Sequence, residues 1–356
     1  MCSTVNGVLL VLLAVAILII VHRNLLNLSD FLDRENPDAG QILPFEAELS
    51  PGVRQKTERK RDEIPVLITA TEDRLGAVIV AMNSVSRNSK ANVAFTIVTL
   101  NDTVDHLKAW ISKTTLKNVK YKIVIFQPEL LNGKISKDPK ICCLCIKNFM
   151  MCVEKAIYLD DDVVVQGDIQ ELYEINLKPG HAAAFSDDCD SASAKGIVRA
   201  AGNQNNYMGF LDFKKEAIKK LGMKANTCSF NPGVIVANLT EWKNQNVTQQ
   251  LEKWMERNSQ EDLYSNTLAE SITTPPLLIV FYKRHSPINP MWHVRHLGIT
   301  GAGNRYSPQY VRTAKLLHWN GHYKPWGRTT SFSDVWDQWF IPDPTGKFHP
   351  VRKHAD

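Results

Sequence analysis

From residue 64 onward, short unbroken apolar runs alternate with longer stretches whose apolar positions recur at helical spacing. "IPVLITA" (64–70) is a run of the kind a strand buried on both faces needs. "LGAVIVAMNSVSRNS" (75–89) has the 3.6-residue period of a helix packed on such a sheet. "VAFTIVTL" (93–100), "VDHLKAWISKTT" (104–115), "KYKIVIFQ" (120–127) and "EKAIYL" (154–159) continue as strand, helix, strand and strand. Strand and helix in turn, with short connections, predict an α/β fold with a doubly wound, mostly parallel sheet. Later strand-like runs are "HAAAFSD" (181–187), "PGVIVANL" (232–239), "PPLLIVFY" (275–282) and "KLLHW" (315–319), with a helical period over "EWKNQNVTQQLEKWMERN" (241–258). No internal repeat or low-complexity segment interrupts the pattern.

Before residue 64 the pattern is different. "VNGVLLVLLAVAILIIV" (5–21) holds seventeen residues without a charge, followed by His22 and Arg23. This is at the short end for a membrane-spanning helix and suits a thin secretory-pathway bilayer. No small-x-small cleavage site follows, so an uncleaved anchor over residues 1–22 is expected rather than a signal peptide. Residues 23–62 are polar, contain Pro37, Pro44 and Pro51, and read as a stem. A globular body over 63–345 and a tail over 346–356 complete the expected organisation. Four N-x-Ser/Thr sequons, at Asn27, Asn101, Asn238 and Asn246, are compatible with a lumenal body carrying N-glycans, in the Golgi or another secretory-pathway membrane.

Composition changes this picture little. The chain of 356 residues is 44% hydrophobic and 22% charged, values of a globular protein with a sizeable core. Much of the net charge of +5 comes from "RQKTERKR" (54–61). No aromatic-interleaved basic surface accompanies that run, so it reads as a solvated linker and not a nucleic-acid site.

The chemistry begins where the fourth strand ends, at Asp160, Asp161 and Asp162 in "KAIYLDDDVVVQGDI" (155–169). Ligands of open α/β sheets gather beyond the carboxyl ends of the strands. Strand alternation sends Asp160 and Asp162 to one side and Asp161 to the other. Two carboxylates converging on one spot repel unless a cation lies between them, and hard oxygen ligands suit Mn²⁺ or Mg²⁺ together with a diphosphate. An acidic turn, or a helix N-cap as expected for Asp168, is the alternative. "LLHWNGHYKPWG" (316–327) supplies His318, an imidazole able to complete such a shell, and Lys324, a point charge suited to phosphate. An aromatic-rich core corner is the other reading of His318 and Trp319. "TATEDRLG" (69–76) lacks G-x-G-x-x-G, which disfavours a Rossmann dinucleotide site, yet its polar groups suit a uracil base. "CSFNPGVIVANL" (228–239) reads as an Asn-Pro-Gly turn entering a strand, either an ordinary turn or a holder of a sugar.

Together "AIYLDDDVVVQGDI", "FNPGVIVANLTEW" and "HWNGHYKPW" resemble glycosyltransferase family 8, the retaining, Mn²⁺-dependent sugar-nucleotide transferases of the type-A glycosyltransferase fold. The resemblance implies Asp160, Asp162 and His318 as metal ligands. It implies Asp161, Gly321 and Lys324 at the nucleotide diphosphate, with Ala70, Glu72 and Arg74 around the nucleoside and Asn231 near the donor sugar. The implied partners are a UDP-sugar and a glycan, protein or lipid acceptor with a free hydroxyl. Where many family members carry an Asp-Gln pair near the reacting sugar, this chain has "LAESITTPPLLIVFY" (268–282), with Ser271 or Thr273 at that place.

Residues 140–153, "KICCLCIKNFMMCV", also depart from the family, whose L-x-R-x-x-x-P helix puts an Arg toward the donor. The departure motivates an alternative reading, a catalytically impaired nucleotide- or glycan-binding protein. A zinc or redox site is a third reading, resting on the C-C-x-C-x₆-C spacing of Cys142, Cys143, Cys145 and Cys152, which contains no C-x-x-C pair. In an oxidising lumen Cys189 and Cys228 are candidates to pair.

Overall fold

The computed structural model describes residues 63–126, 153–188, 207–264, 274–299 and 306–351. The chain divides into two units, Met1–Glu58 and Arg59–Asp356, and every described residue belongs to the second. The expected anchor, the stem, residues 140–152, Cys189, Ser271 and Thr273 lie outside the described residues. No helix among the described residues is long and apolar enough to cross a membrane.

The central sheet has seven strands in the order β3-β2-β1-β4-β7-β6-β8. β1 (Ile64–Thr69), β2 (Val93–Thr99), β3 (Lys120–Ile125) and β4 (Lys155–Leu159) are mutually parallel. β7 (Phe230–Asn238) runs antiparallel between β4 and β6 (Ala183–Asp187), and the short β8 (Ser286–Pro287) pairs in parallel with β6. The mostly parallel doubly wound sheet expected from the periodicity is therefore present.

Strand alternation divides the core into two apolar clusters on opposite faces of this sheet. Val66, Ile68, Ile157, Leu159, Val234 and Val236 join α1 (Leu75–Asn88) and α2 (Val104–Ser112). Leu67, Ala156, Tyr158, Ile235 and Ala237 join α5 (Leu239–Asn244), α6 (Val247–Glu261) and α7 (Thr274–Val280). Between them in sequence lie α3 (Ile169–Tyr173) and α4 (Glu216–Lys219). The Asp168 side chain caps α3 by accepting from the Gln170 N–H, as its N-cap reading required.

Two readings change. "PPLLIVFY" is not a strand: α7 covers most of it, with Pro275 and Pro276 in the first turn, where missing N–H groups cost no helix bond. A short apolar run fits a buried strand or a buried helix equally well, and burial of every residue of α7 erases the amphipathic signal. The single helix expected over 241–258 is two helices, because Asn246 takes a left-handed conformation (φ 51°) and breaks the run.

A second, two-stranded sheet sets up the site. β5 (Val163–Val165) pairs antiparallel with β9 (Leu316–His318), and Val163 lies opposite His318. The three aspartates are thus the whole link between a strand of the large sheet and a strand of the small one. After α8 (Pro308–Thr313) and β9, the C-terminal segment with α9 (Ser333–Asp337) returns over α1 and α2. Asn83 donates to the Trp339 carbonyl at 2.9 Å and the Trp110 indole to the Ile341 carbonyl at 3.2 Å. Phe348, within the expected tail, is buried and lies so close to Gly76 that a Cβ there would stand 2.1 Å from its ring.

Candidate metal and nucleotide site

Asp160 sits one residue past β4, its N–H bonded to the Gly233 carbonyl at 2.8 Å. The Tyr158 hydroxyl donates to its Oδ1 at 2.7 Å, which leaves Oδ2 turned toward His318 Nε2 at 3.5 Å. Asp162 is buried, and its Oδ1 lies 2.9 Å from the same Nε2. Despite this proximity, Asp162 Oδ1 is buried without a hydrogen-bond partner. One atom each from Asp160, Asp162 and His318 lies within 4.8 Å of the others. A buried carboxylate oxygen without a partner, beside a second carboxylate and an imidazole nitrogen, is a donor set that fits Mn²⁺ or Mg²⁺. The aspartates and His318 were both candidate ligands from the sequence; the β5–β9 register is what brings His318 to them.

Cations ring this cluster. Lys324 Nζ contacts Asp162 Oδ2 at 2.6 Å, and Arg74 Nη2 contacts Asp161 Oδ1 at 2.5 Å and Asp162 Oδ2 at 3.3 Å. The Arg74 guanidinium also lies over the Trp326 ring, 5.5 Å from its centroid. Burial alone would raise the Asp162 carboxyl; Lys324, His318 and Arg74 outweigh it and hold the group well below the usual range. Asp161, also buried, goes the other way: burial pushes it up to about 7 against the pull of Arg74. Burial lowers the Arg74 guanidinium but the aspartates more than reverse this. Asp161 does not simply face away from its neighbours, since Arg74 touches both Asp161 and Asp162. Asp160 and Asp162 nonetheless converge with His318 as alternation predicts, and Asp161 stands outside that group of three.

The remaining residues expected at the site spread around this centre. Ala70 is buried at the exit of β1, with its carbonyl held by the Thr99 hydroxyl at 3.0 Å. Glu72 is exposed in the 3₁₀ turn after β1, and its Oε1 lies 2.7 Å from His106 Nδ1. Gly321 has φ 117°, a conformation that a side chain would strain, and a Cβ there would stand 2.8 Å from the Gly298 carbonyl. Asn231 is buried, gives its amide N–H to the Tyr207 hydroxyl at 2.7 Å, and accepts the Gly233 N–H at 2.8 Å.

"FNPG" is therefore not a turn entering a strand. It lies within β7, opposite a register shift on β6, where a proline without an N–H is tolerated. Of the sequon asparagines, Asn101 and Asn246 are exposed, whereas half-buried Asn238 caps α5 through its side-chain oxygen. Cys228 is disulfide-bonded, and its partner is outside the described residues.

Several further residues near the site were given no role there by the sequence. Gly233 is required by proximity: a Cβ would stand 2.3 Å from His318 Cε1 and 2.7 Å from Asp160 Oδ2. Asn320 donates to the Tyr207 hydroxyl at 2.9 Å and, with Asn231, surrounds that oxygen with two donors. Burial lifts the Tyr207 phenol to about 12. Arg295, fully buried, pairs with Asp188 at 2.5 Å and donates to the Ser186 and Asp187 carbonyls. His293, also fully buried, meets His318 ring to ring. Burial and the neighbouring Arg295 hold His293 well below the usual histidine range, so its ring is neutral. Gly233 and Asn320 stand in quoted motifs without a role read from them, while Tyr207, Arg295 and His293 stand in none, and only proximity in three dimensions marks their part in the site.

Comparison with known proteins agrees with this geometry. The chain is 67% identical over 99% of its length, and 98% of the relative's, to glycosyltransferase 8 domain-containing protein 1 of Danio rerio. It is 57% identical over 99% of its length, and 97% of the relative's, to the Homo sapiens protein of that name. Among solved structures, the galactosyltransferase LgtC in complex with donor and acceptor sugar analogs superposes with a TM-score of 0.58 at 17% identity. That match covers 79% of this chain and 98% of LgtC, and it shows a shared type-A fold. The profile of glycosyl transferase family 8 matches residues 65–330. With a mostly parallel sheet and the Asp160, Asp162 and His318 cluster at its strand ends, this chain belongs to glycosyl transferase family 8.

Proposed function

We propose that this protein transfers a sugar from a UDP-sugar to a hydroxyl acceptor with retained anomeric configuration. The observation that carries this reading is the convergence of Asp160, Asp162 and His318, with Lys324 and Arg74 around it. Mn²⁺ (or Mg²⁺) bound there supplies Lewis-acid stabilisation of the departing diphosphate. Lys324 has an ammonium group already placed at the cluster and adds positive charge where negative charge develops. Gly321 lets the chain pass close to the diphosphate, and Asp161 orients Arg74. Ala70, Glu72 and Arg74 face the nucleoside, and Asn231, fixed by Tyr207, holds the donor sugar.

Among the described residues, the two carboxylates that follow Ser186, the strand partner of Asn231, are already engaged, Asp187 with His285 at 2.8 Å. Asp188 is tied up by Arg295 and by the Ser229 hydroxyl. Same-face attack is therefore favoured: the acceptor oxygen bonds to the anomeric carbon as the phosphate oxygen leaves, and that oxygen takes the acceptor's proton. A seventeen-residue uncharged run at 5–21 and exposed sequons at Asn101 and Asn246 support an anchored, lumenal, glycosylated protein of the secretory pathway.

The test is UDP release by the purified protein with Mn²⁺ across a panel of UDP-sugars, beside a Lys324→Ala control. Release that depends on Mn²⁺ and falls at least tenfold in the control is the expected result (~1.4 kcal/mol or more of transition-state stabilisation). A second reading is favoured by the short Lys324–Asp162 contact, which neutralises a metal-site carboxylate internally. Under it the protein binds nucleotide or glycan without turnover. Mn²⁺-dependent UDP binding with no release from any donor would decide for that reading.

A further inference from the structure

We propose that His293 is a positioning residue for the metal cluster: its Nε2 accepts the Nδ1–H of His318 and so keeps His318 Nε2 bare toward Asp160 and Asp162. The proposal rests on the metal-site reading given above and extends it to a residue outside every recognisable motif. His293 Nε2 and His318 Nδ1 are 2.9 Å apart, and both rings are buried. The rings are nearly coplanar, at 11°, with centroids 5.1 Å apart. A hydrogen bond of 2.9 Å at that separation means the rings meet edge to edge, nitrogen to nitrogen, and not face to face.

A neutral imidazole has one N–H and one bare nitrogen, and the bond made by one nitrogen decides which is which. If His318 carried its proton on Nε2, the buried Asp162 Oδ1 at 2.9 Å would be the natural acceptor. That oxygen, 2.9 Å away, is instead left without a hydrogen-bond partner. The arrangement is the one expected when the proton is on Nδ1 and points at His293. His293 then has its own proton on Nδ1, an atom without a partner. In the reverse arrangement Nδ1 would be an unpaired acceptor, so the unpaired atom exists either way and does not oppose the assignment.

The backbone fixes this meeting. The His318 N–H bonds to the Val294 carbonyl at 2.8 Å and the Val294 N–H to the Leu316 carbonyl at 2.9 Å, so the segment bearing His293 runs alongside β9. Metal-binding histidines in general donate their second nitrogen to an oxygen acceptor. Here a second histidine takes that place. The hydrogen bond to that ring fixes the orientation of the His318 ring and so the direction of Nε2.

The test uses the full-length protein and the metal alone. Binding of Mn²⁺ is followed by the loss of the free-ion electron paramagnetic resonance signal, for wild type, His293→Phe and His293→Gln. Phe keeps a ring of similar size and removes the acceptor; the Gln amide oxygen reaches the place of Nε2. His293→Phe is expected to weaken Mn²⁺ about 10–100-fold, the usual scale for such supporting groups, and His293→Gln to recover most of the loss. A folded His293→Phe protein with wild-type Mn²⁺ affinity overturns the proposal. Absence of Mn²⁺ binding by wild type removes the metal-site reading itself, and the proposal with it. A second measurement is independent of how the variants fold: ¹⁵N shifts of histidine-labelled, metal-free wild type. They are expected to show His318 protonated on Nδ1, and protonation on Nε2 overturns the proposal whatever the metal affinity.

Discussion

At the scale of single residues, the site is built on atoms whose neighbours leave them no room. Gly233 is the clearest case. Replacing it with Ala puts a methyl group 2.3 Å from His318 Cε1 and 2.7 Å from Asp160 Oδ2. Two of the three candidate ligands then have to move. Gly233→Ala is expected to lower Mn²⁺ affinity at least tenfold and to cost about 1–3 kcal/mol of stability from overpacking. Unchanged affinity in a metal titration would show that the three groups do not act as one site. The sequence exposed this position as part of "FNPG" but gave the wrong reason, a turn. Nothing local in the chain reveals that a strand glycine lies against a histidine 85 residues further on. Asp160 and Asp162, by contrast, were legible, because charges at the tip of an apolar strand need a partner.

At the scale of elements, the C-terminal segment shows how local and distant interactions combine. Asp343 accepts the N–H groups of Thr345, Lys347 and Phe348, and its Oδ2 lies 2.9 Å from His106 Nε2. The other His106 nitrogen lies against Glu72, so one imidazole joins the C-terminal segment to the turn after β1. Burial raises the Asp343 carboxyl, but these hydrogen bonds bring it from 3.8 down to about 2.

A carboxyl lowered on folding stabilises the protein fully above its unfolded value. That contribution disappears as pH falls through the folded value. Asp343→Asn is therefore expected to be less stable than wild type at neutral pH by about 1–3 kcal/mol. The difference should close between about pH 4 and pH 2. Denaturation midpoints that stay apart by the same amount at pH 2 would contradict this. Several elements were read well from the sequence: β1, α1, β2, α2 and β4 all fall within a few residues of expectation. α7 was not, since a short apolar run fits a buried strand and a buried helix alike.

At the scale of the whole molecule, the candidate metal site joins segments that are far apart in the sequence. Asp160 follows β4 in the large sheet, while His318 closes β9 in the small one. A bound ion therefore ties distant parts of the chain together, and it binds only the folded form. At a free Mn²⁺ concentration 100 times the dissociation constant, the stabilisation is about 2.7 kcal/mol. For a body of this size that is a rise in melting temperature of about 4–5 °C, reversed by EDTA. A melting temperature indifferent to both Mn²⁺ and EDTA would count against the cluster as a metal site.

The sequence by itself determined the alternating strands and helices, the mostly parallel sheet and the carboxylates at a strand end. Those features depend on short-range periodicity and on the cost of placing charge beside apolar residues, both of which are local. Only the tertiary structure decided that β7 runs antiparallel, that Val163 faces His318, that Lys324 and Arg74 share Asp162, and that His293 stands behind His318. Each of these depends on which distant segments pack together, and packing is settled by the whole core at once.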